Sequence, residues 1–150
     1  MTPLVFQAPV LLLGGAPASD DLIAQLRPLC GAVVAADGGA DRLRGGPVRP
    51  DAVIGDMDSV SDLDGWRATP GVQVLHESEQ ETTDFEKCLR LTRAPLYLAA
   101  GFLGGRLDHS LAALHALLKN PDRRILLAGE EDLAFLAPLR WRATLAPGAR

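Results

Sequence analysis

Short, wholly apolar runs alternate with stretches whose apolar residues recur at helical spacing, and this alternation organises most of the chain. Val10–Leu13 is apolar throughout and stops at Gly14-Gly15, which predicts a buried strand. Ser19 and Asp20 suit the cap of a helix through Leu22, Ile23, Leu26 and Leu29. Ala32–Ala36 predicts a second strand ending at Asp37-Gly38-Gly39, then a short helix over 40–43 that Gly45-Gly46-Pro47 breaks. Ala52-Val53-Ile54 is the third strand, ending at Gly55-Asp56, and residues 72–75 are the fourth. A helix over 83–93 turns Phe85, Cys88 and Leu89 inward, and residues 96–100 form a fifth strand running into Gly101. Residues 108–119 predict a helix with Leu111, Leu114, His115 and Leu118 near one face, His115 on the core side. Ile125–Ala128 and residues 133–136 close the pattern, the latter as an edge hairpin.

Such alternation predicts an α/β fold, a mostly parallel sheet with helices on both faces and Rossmann-like in class. Gly and Asp recur where the strands end, at Gly14-Gly15, Asp37-Gly38-Gly39, Gly55-Asp56 and Gly101. In open α/β sheets ligands bind beyond the carboxyl ends of the strands, so the ligand site is expected on that edge. Residues 139–145 contain strand-like material with an exposed Trp141, which a lone strand does not stabilise without partners.

Composition narrows the classes. A chain of 150 residues suits one domain, and 47% hydrophobic with 23% charged residues is a soluble globular balance. The net charge of −4 offers no field for nucleic acid or an anionic membrane surface. Asp outnumbers Glu, and because Asp favours turns and caps, many short carboxylates are expected on loops. Cys30 and Cys88 are far apart and lack a C-x-x-C partner, which argues for a reduced compartment and against zinc or a disulfide framework. No run is long enough to span a bilayer. No Lys or Arg precedes Arg27, so a signal peptide's basic start is missing and a cytoplasmic location is expected.

Three clusters carry candidate chemistry. In Asp56-Met57-Asp58-Ser59, alternate residues of an extended segment face the same side, so both carboxylates can meet one hard cation. Asp58 or Ser59 equally suits a cap for the helix near Leu63 and Trp66. In the segment 80–87, Thr82 or Thr83 caps a helix, and Gln80, Asp84 and Lys87 sit near its phosphate-attracting N-terminus. Lys87 is one of two lysines and lies one turn on, where a surface ion pair is the plainer role. In the segment 101–109, glycines permit close backbone approach, Arg106 offers a fork for phosphate oxygens, and Asp108 opens the next helix. This is neither G-x-G-x-x-G nor a P-loop, and His76, His109 and His115 receive no function. Three successive strand ends thus supply carboxylate, and two supply a cation. The chemistry expected is Mg²⁺-dependent phosphoryl or pyrophosphoryl transfer.

These motifs resemble the thiamine pyrophosphokinase (thiamine diphosphokinase) family. The resemblance rests on Ala36-Asp37-Gly38-Gly39-Ala40, on the ten residues from Pro50-Asp51 to Gly55-Asp56-Met57-Asp58-Ser59, on Gln80 with Thr83-Asp84-Phe85 and Lys87, and on Gly104-Gly105-Arg106-Leu107-Asp108-His109 with Leu111-Ala112. It implies transfer of diphosphate from Mg–ATP to the hydroxyethyl group of thiamine, giving thiamine diphosphate and AMP. It implies that Asp56, Asp58 and Asp84 organise Mg²⁺, that Lys87 and Arg106 hold phosphate oxygens, and that Gln80 and Thr83 orient them. Asp37, Gly38, Gly39 and Ser59 would face the nucleotide. Asp108 would be a metal-side or supporting carboxylate, or the base that receives the alcohol proton. Family members continue into a smaller C-terminal β domain that helps bind thiamine across a dimer. Residues 1–137 are therefore expected to be the ATP/Mg-binding domain and 138–150 a lead-in to that second domain, in a homodimer. Two rivals remain: a related diphosphokinase for another small alcohol such as a hydroxymethyl pterin, and a truncated, non-catalytic nucleotide-binding module.

Overall fold

The structure, a computed structural model, describes residues 2–144 together with 147 and 148. A short β1 (Leu4–Val5) precedes β2 (Val10–Leu13), and α1 (Asp20–Leu26) leads to β3 (Ala32–Ala36). A 3-10 helix over Asp37–Leu43 leads to β4 (Ala52–Gly55), and α2 (Leu63–Ala68) to β5 (Gln73–His76). Next, α3 (Asp84–Leu91) runs directly into β6 (Thr92–Arg93), followed by β7 (Tyr97–Ala100), α4 (Leu107–Lys119), β8 (Ile125–Ala128) and β9 (Leu133–Ala134).

The main sheet has the order β5-β4-β3-β2-β7-β8-β9, parallel throughout except for β9, which returns antiparallel to β8 as the expected edge hairpin. The central strands read as continuous apolar runs because both faces are covered. Along β2, Val10 and Leu12 join Phe85, Leu89, Ala116 and Leu117 on the α3–α4 side, whereas Leu11 and Leu13 join Ile23 and Trp66 on the α1–α2 side. From β2 the chain builds outward through β3, β4 and β5, then returns to lay β7 on the other flank of β2. The loops leaving β2 and β7 therefore diverge, and a crevice opens between them.

Three local expectations need correction. The third helix stops at Leu91 rather than reaching Arg93, because Thr92 and Arg93 pair with Leu4 and Val5 in a separate parallel sheet. Thr92 Oγ1 donates to the Cys88 carbonyl at 2.6 Å and lies 3.1 Å from the Tyr97 hydroxyl, fixing that exit. In α4 the buried face is Ala113, Ala116 and Leu117, while Leu107, Leu111, Leu114 and Leu118 are exposed, as is His115. Ala113, Ala116 and Leu117 join the core cluster with Val10, Leu12 and Leu89, and two apolar stripes on one helix cannot be ranked by spacing alone. Residues 139–144 form no strand; Trp141 stands edge-on to Phe135, with ring centroids 5.2 Å apart. The Leu145 end of that expected strand lies outside the described residues. No helix among the described residues is long and apolar enough to cross a membrane.

Candidate functional site

The crevice has a volume of about 530 Å³. Its walls are Gly14–Pro17 after β2, Asp37 and Gly38 after β3, Asp56 and Ser59 after β4, the start of α3, and the segment from Gly101 to Arg106 after β7. Glycine is required where these loops touch. A Cβ on Gly39 would lie 2.2 Å from the Leu13 carbonyl oxygen, and one on Gly101, whose φ is +79°, would lie 2.4 Å from that of Gly14. Phe85 and Phe102 stack at 4.5 Å between centroids and give the crevice one apolar flank.

The acidic residues converge where the loops after β3 and β4 meet. Carboxylate oxygens of Asp37, Asp56 and Asp58 lie within 4.8 Å of one another. Asp37 is buried and held at a positive φ of 43°; its Oδ2 accepts from the Ser59 N–H at 3.2 Å. Its Oδ1 is buried without a hydrogen-bond partner among the described residues. Burial pushes the Asp37 carboxyl above its ordinary range, and Asp84 and Asp56 add to the rise against the Ser59 bond. A buried, half-satisfied carboxylate beside two others is costly unless a cation meets it. The donor set, all hard oxygen, fits a divalent cation such as Mg²⁺.

The start of α3 supplies the positive charge. Thr83 and Glu86 form a capping box, with the Glu86 N–H donating to Thr83 Oγ1 at 3.3 Å and the Thr83 N–H to Glu86 Oε2 at 3.2 Å. Lys119 Nζ, in the last turn of α4, reaches Glu86 Oε1 at 2.8 Å and ties the two helices together. One turn into the helix so fixed, Lys87 is 1% exposed, and its Nζ lies 3.2 Å from both Asp56 Oδ2 and Asp84 Oδ1. Burial opposes ionisation of Asp56, but the hydrogen bonds from Lys87 and from Gln80 Nε2 (2.8 Å) outweigh it and hold that carboxyl below its ordinary value. For Asp84 burial prevails over Lys87, with Asp56 and Asp58 reinforcing it, and the carboxyl is pushed up. Burial also works against the Lys87 ammonium, yet its two carboxylate partners raise its pKa.

The expected site residues divide as follows. Asp37, Gly38, Asp56, Ser59, Thr83, Asp84, Lys87 and Arg106 line the crevice. Asp58 joins through the carboxylate group and Gln80 through Asp56, while Gly39 packs beneath the wall formed by Leu13 and Gly14. The carboxylate group brings Asp37 to Asp56 and Asp58, and Asp84 stands across Lys87. Asp108 takes a bidentate pair from Arg106, at 3.1 and 2.6 Å, in the open at the head of α4. That guanidinium holds the Asp108 carboxyl low. Sequence reasoning gave no role to Phe102 or Arg42, since neither follows from spacing within a motif.

The sequence profile of the family described as "Thiamin pyrophosphokinase, catalytic domain" matches residues 24–127, which include the acidic group, Lys87, Arg106 and Asp108. The chain belongs to this family. Thiamine pyrophosphokinase 1 of Arabidopsis thaliana is 38% identical over 101 residues, covering 60% of this chain and 38% of that protein. The thiamin pyrophosphokinase of Geobacillus thermodenitrificans superposes with a TM-score of 0.64 at 31% identity, over 80% of this chain and 59% of that one. The yeast thiamin pyrophosphokinase, at 19% identity, shares the fold with a TM-score of 0.72 over 86% of this chain and 61% of its own. The segment matched thus spans 38% of the length of the Arabidopsis thiamine pyrophosphokinase.

Proposed function

We propose that this chain is the nucleotide-handling, catalytic part of a thiamine diphosphokinase, which moves diphosphate from Mg–ATP to thiamine and releases AMP. The observation that carries the proposal is the Asp37–Asp56–Asp58 group at the carboxyl ends of strands of a mostly parallel sheet, with Lys87 buried beside it. In this reading the three carboxylates hold Mg²⁺, which neutralises polyphosphate charge when bound. Lys87 locks Asp56 and Asp84 in place, and beside it Thr83 sits at a helix N-terminus that favours phosphate. Arg106, at the mouth, takes phosphate oxygens, and Asp108 orients it. An Asp108 carboxyl held low is a weak proton acceptor. Asp84, pushed up and lining the crevice, is better matched to receive the alcohol proton.

Attack of an alcohol on the β-phosphorus needs the nucleophile held in line and the developing charge met by fixed groups. Replacing Asp58 by Asn should abolish Mg-dependent AMP formation in the presence of thiamine, measured by separating the nucleotides. Undiminished AMP from that variant would remove Asp58 from the site.

Residues 138–150 serve in this reading as the lead-in to a second domain, and the enzyme works in the cytoplasm as a homodimer. The exposed stripe of Leu107, Leu111, Leu114 and Leu118 gives such a dimer an apolar surface to bury. Sedimentation of the chain at micromolar concentration should report a dimer, and a monomer would discard this part of the proposal.

A further inference from the structure

The loop that forms the first wall of the crevice is held from behind by a residue outside every motif above. Arg42 does not line the crevice; it is exposed on the 3-10 helix that also carries Asp37. Its Nη1 donates to the Ala18 carbonyl at 2.9 Å, and its Nη2 to the carbonyls of Ala16 at 2.7 Å and Gly15 at 3.5 Å. A trans peptide points its C=O and N–H in opposite directions, so carbonyls gathered on Arg42 turn the matching N–H groups away from it. The Ala16 N–H accordingly donates to the Gly101 carbonyl at 2.8 Å and the Ser19 N–H to Glu130 Oε1 at 2.5 Å. Pro17 has no N–H to place. The Gly15 N–H, on a residue that lines the crevice, has no protein acceptor among the described residues. In the same 3-10 helix, Asp41 accepts from the Ser61 N–H at 3.2 Å, so this segment braces both the wall loop and the acidic loop.

We propose that Arg42 is a positioning residue for the polyphosphate of the nucleotide, acting through the loop 14–18. By drawing the carbonyls of Gly15, Ala16 and Ala18 to itself, it keeps their negative dipole ends out of the path of a polyanion. The same electrostatics make backbone N–H groups, and not carbonyls, the surface that anions approach at a helix start. The inference rests on the Mg–nucleotide reading of the crevice.

The test is calorimetric titration of the whole chain with Mg–ATP and, separately, with adenosine, for wild type, Arg42→Ala and Arg42→Lys. Arg42→Ala should weaken Mg–ATP by roughly tenfold, the scale of a lost charge-assisted hydrogen bond, and leave adenosine unchanged. Arg42→Lys, which keeps the charge but loses the fork, should fall between, and it carries the test if the alanine variant does not fold. Millimolar guanidinium should restore Mg–ATP binding to Arg42→Ala, and amide exchange at Ala16 and Ser19 should rise in that variant. Wild-type affinity for Mg–ATP in both variants overturns the inference, as does an equal loss for ATP and adenosine. A wild-type chain that binds no Mg–ATP overturns the Mg–nucleotide reading itself, and this inference with it.

Discussion

Replacing Lys87 by Met should lower the melting temperature in metal-free buffer by roughly 6–20 °C, from a loss of about 3–5 kcal/mol. Met fills most of the volume, so the effect isolates the charge. The ammonium lies 3.2 Å from Asp56 and from Asp84, and all three side chains are at least partly withdrawn from water. Without it, two carboxylates face each other beside Asp37 with no internal cation. The pH dependence follows from Asp56, whose folded pKa is depressed. A depressed carboxyl contributes stability above its unfolded pKa and loses it as pH falls through the folded value. The gap between wild type and Lys87→Met should therefore be widest near neutrality and close in acid, as the stranded carboxylates take protons. A gap that is absent, or constant across that range in thermal melts, would show that Lys87 does not hold the acidic residues together.

Asp37→Asn should do the opposite in metal-free buffer and raise stability by about 1–3 kcal/mol. Burial and the neighbouring carboxylates push the Asp37 carboxyl up. A group with a raised folded pKa is most favourable to folding below its unfolded pKa, and that advantage is lost as pH rises through the folded value. At neutral pH the ionised side chain is therefore a net cost, and Asn removes the charge while keeping an oxygen for the Ser59 N–H. Asn also tolerates the positive φ of 43°. Added Mg²⁺ stabilises a folded chain that binds it by mass action. Wild type should therefore gain with Mg²⁺ and Asp37→Asn much less, so the ranking of the two narrows or reverses. A variant less stable than wild type without metal would mean that Asp37 is a structural residue, not a carboxylate kept at a cost for a ligand.

The central strands were legible because a strand buried on both faces must be apolar at every position, as Val10–Leu13 and Ala32–Ala36 are. The orientation of α4 was not, because Leu111, Leu114 and Leu118 make as good a stripe as Ala113, Ala116 and Leu117, and spacing alone does not say which stripe enters the core. The pairing of β1 with β6 joins segments far apart in sequence, Leu4 with Thr92, and two-residue strands leave no periodicity. Within the site, Asp56 and Asp58 were visible from their alternate spacing at a strand end. That Asp37 joins them depends on a left-handed backbone at the carboxyl end of β3, and the sequence records only the glycines that follow. Lys87 was visible as a cation one turn into a helix, but its burial between two carboxylates is set by how α3 docks on β4. Arg42 had no local signal, since its partners are backbone carbonyls of a loop more than twenty residues away.

Titrating the chain with ATP in the presence of Mg²⁺ and again in EDTA tests the reading of the crevice most directly. Saturable binding that needs Mg²⁺ and is lost in Asp58→Asn is the predicted result. No binding, or binding of equal strength in EDTA and in Asp58→Asn, would contradict it.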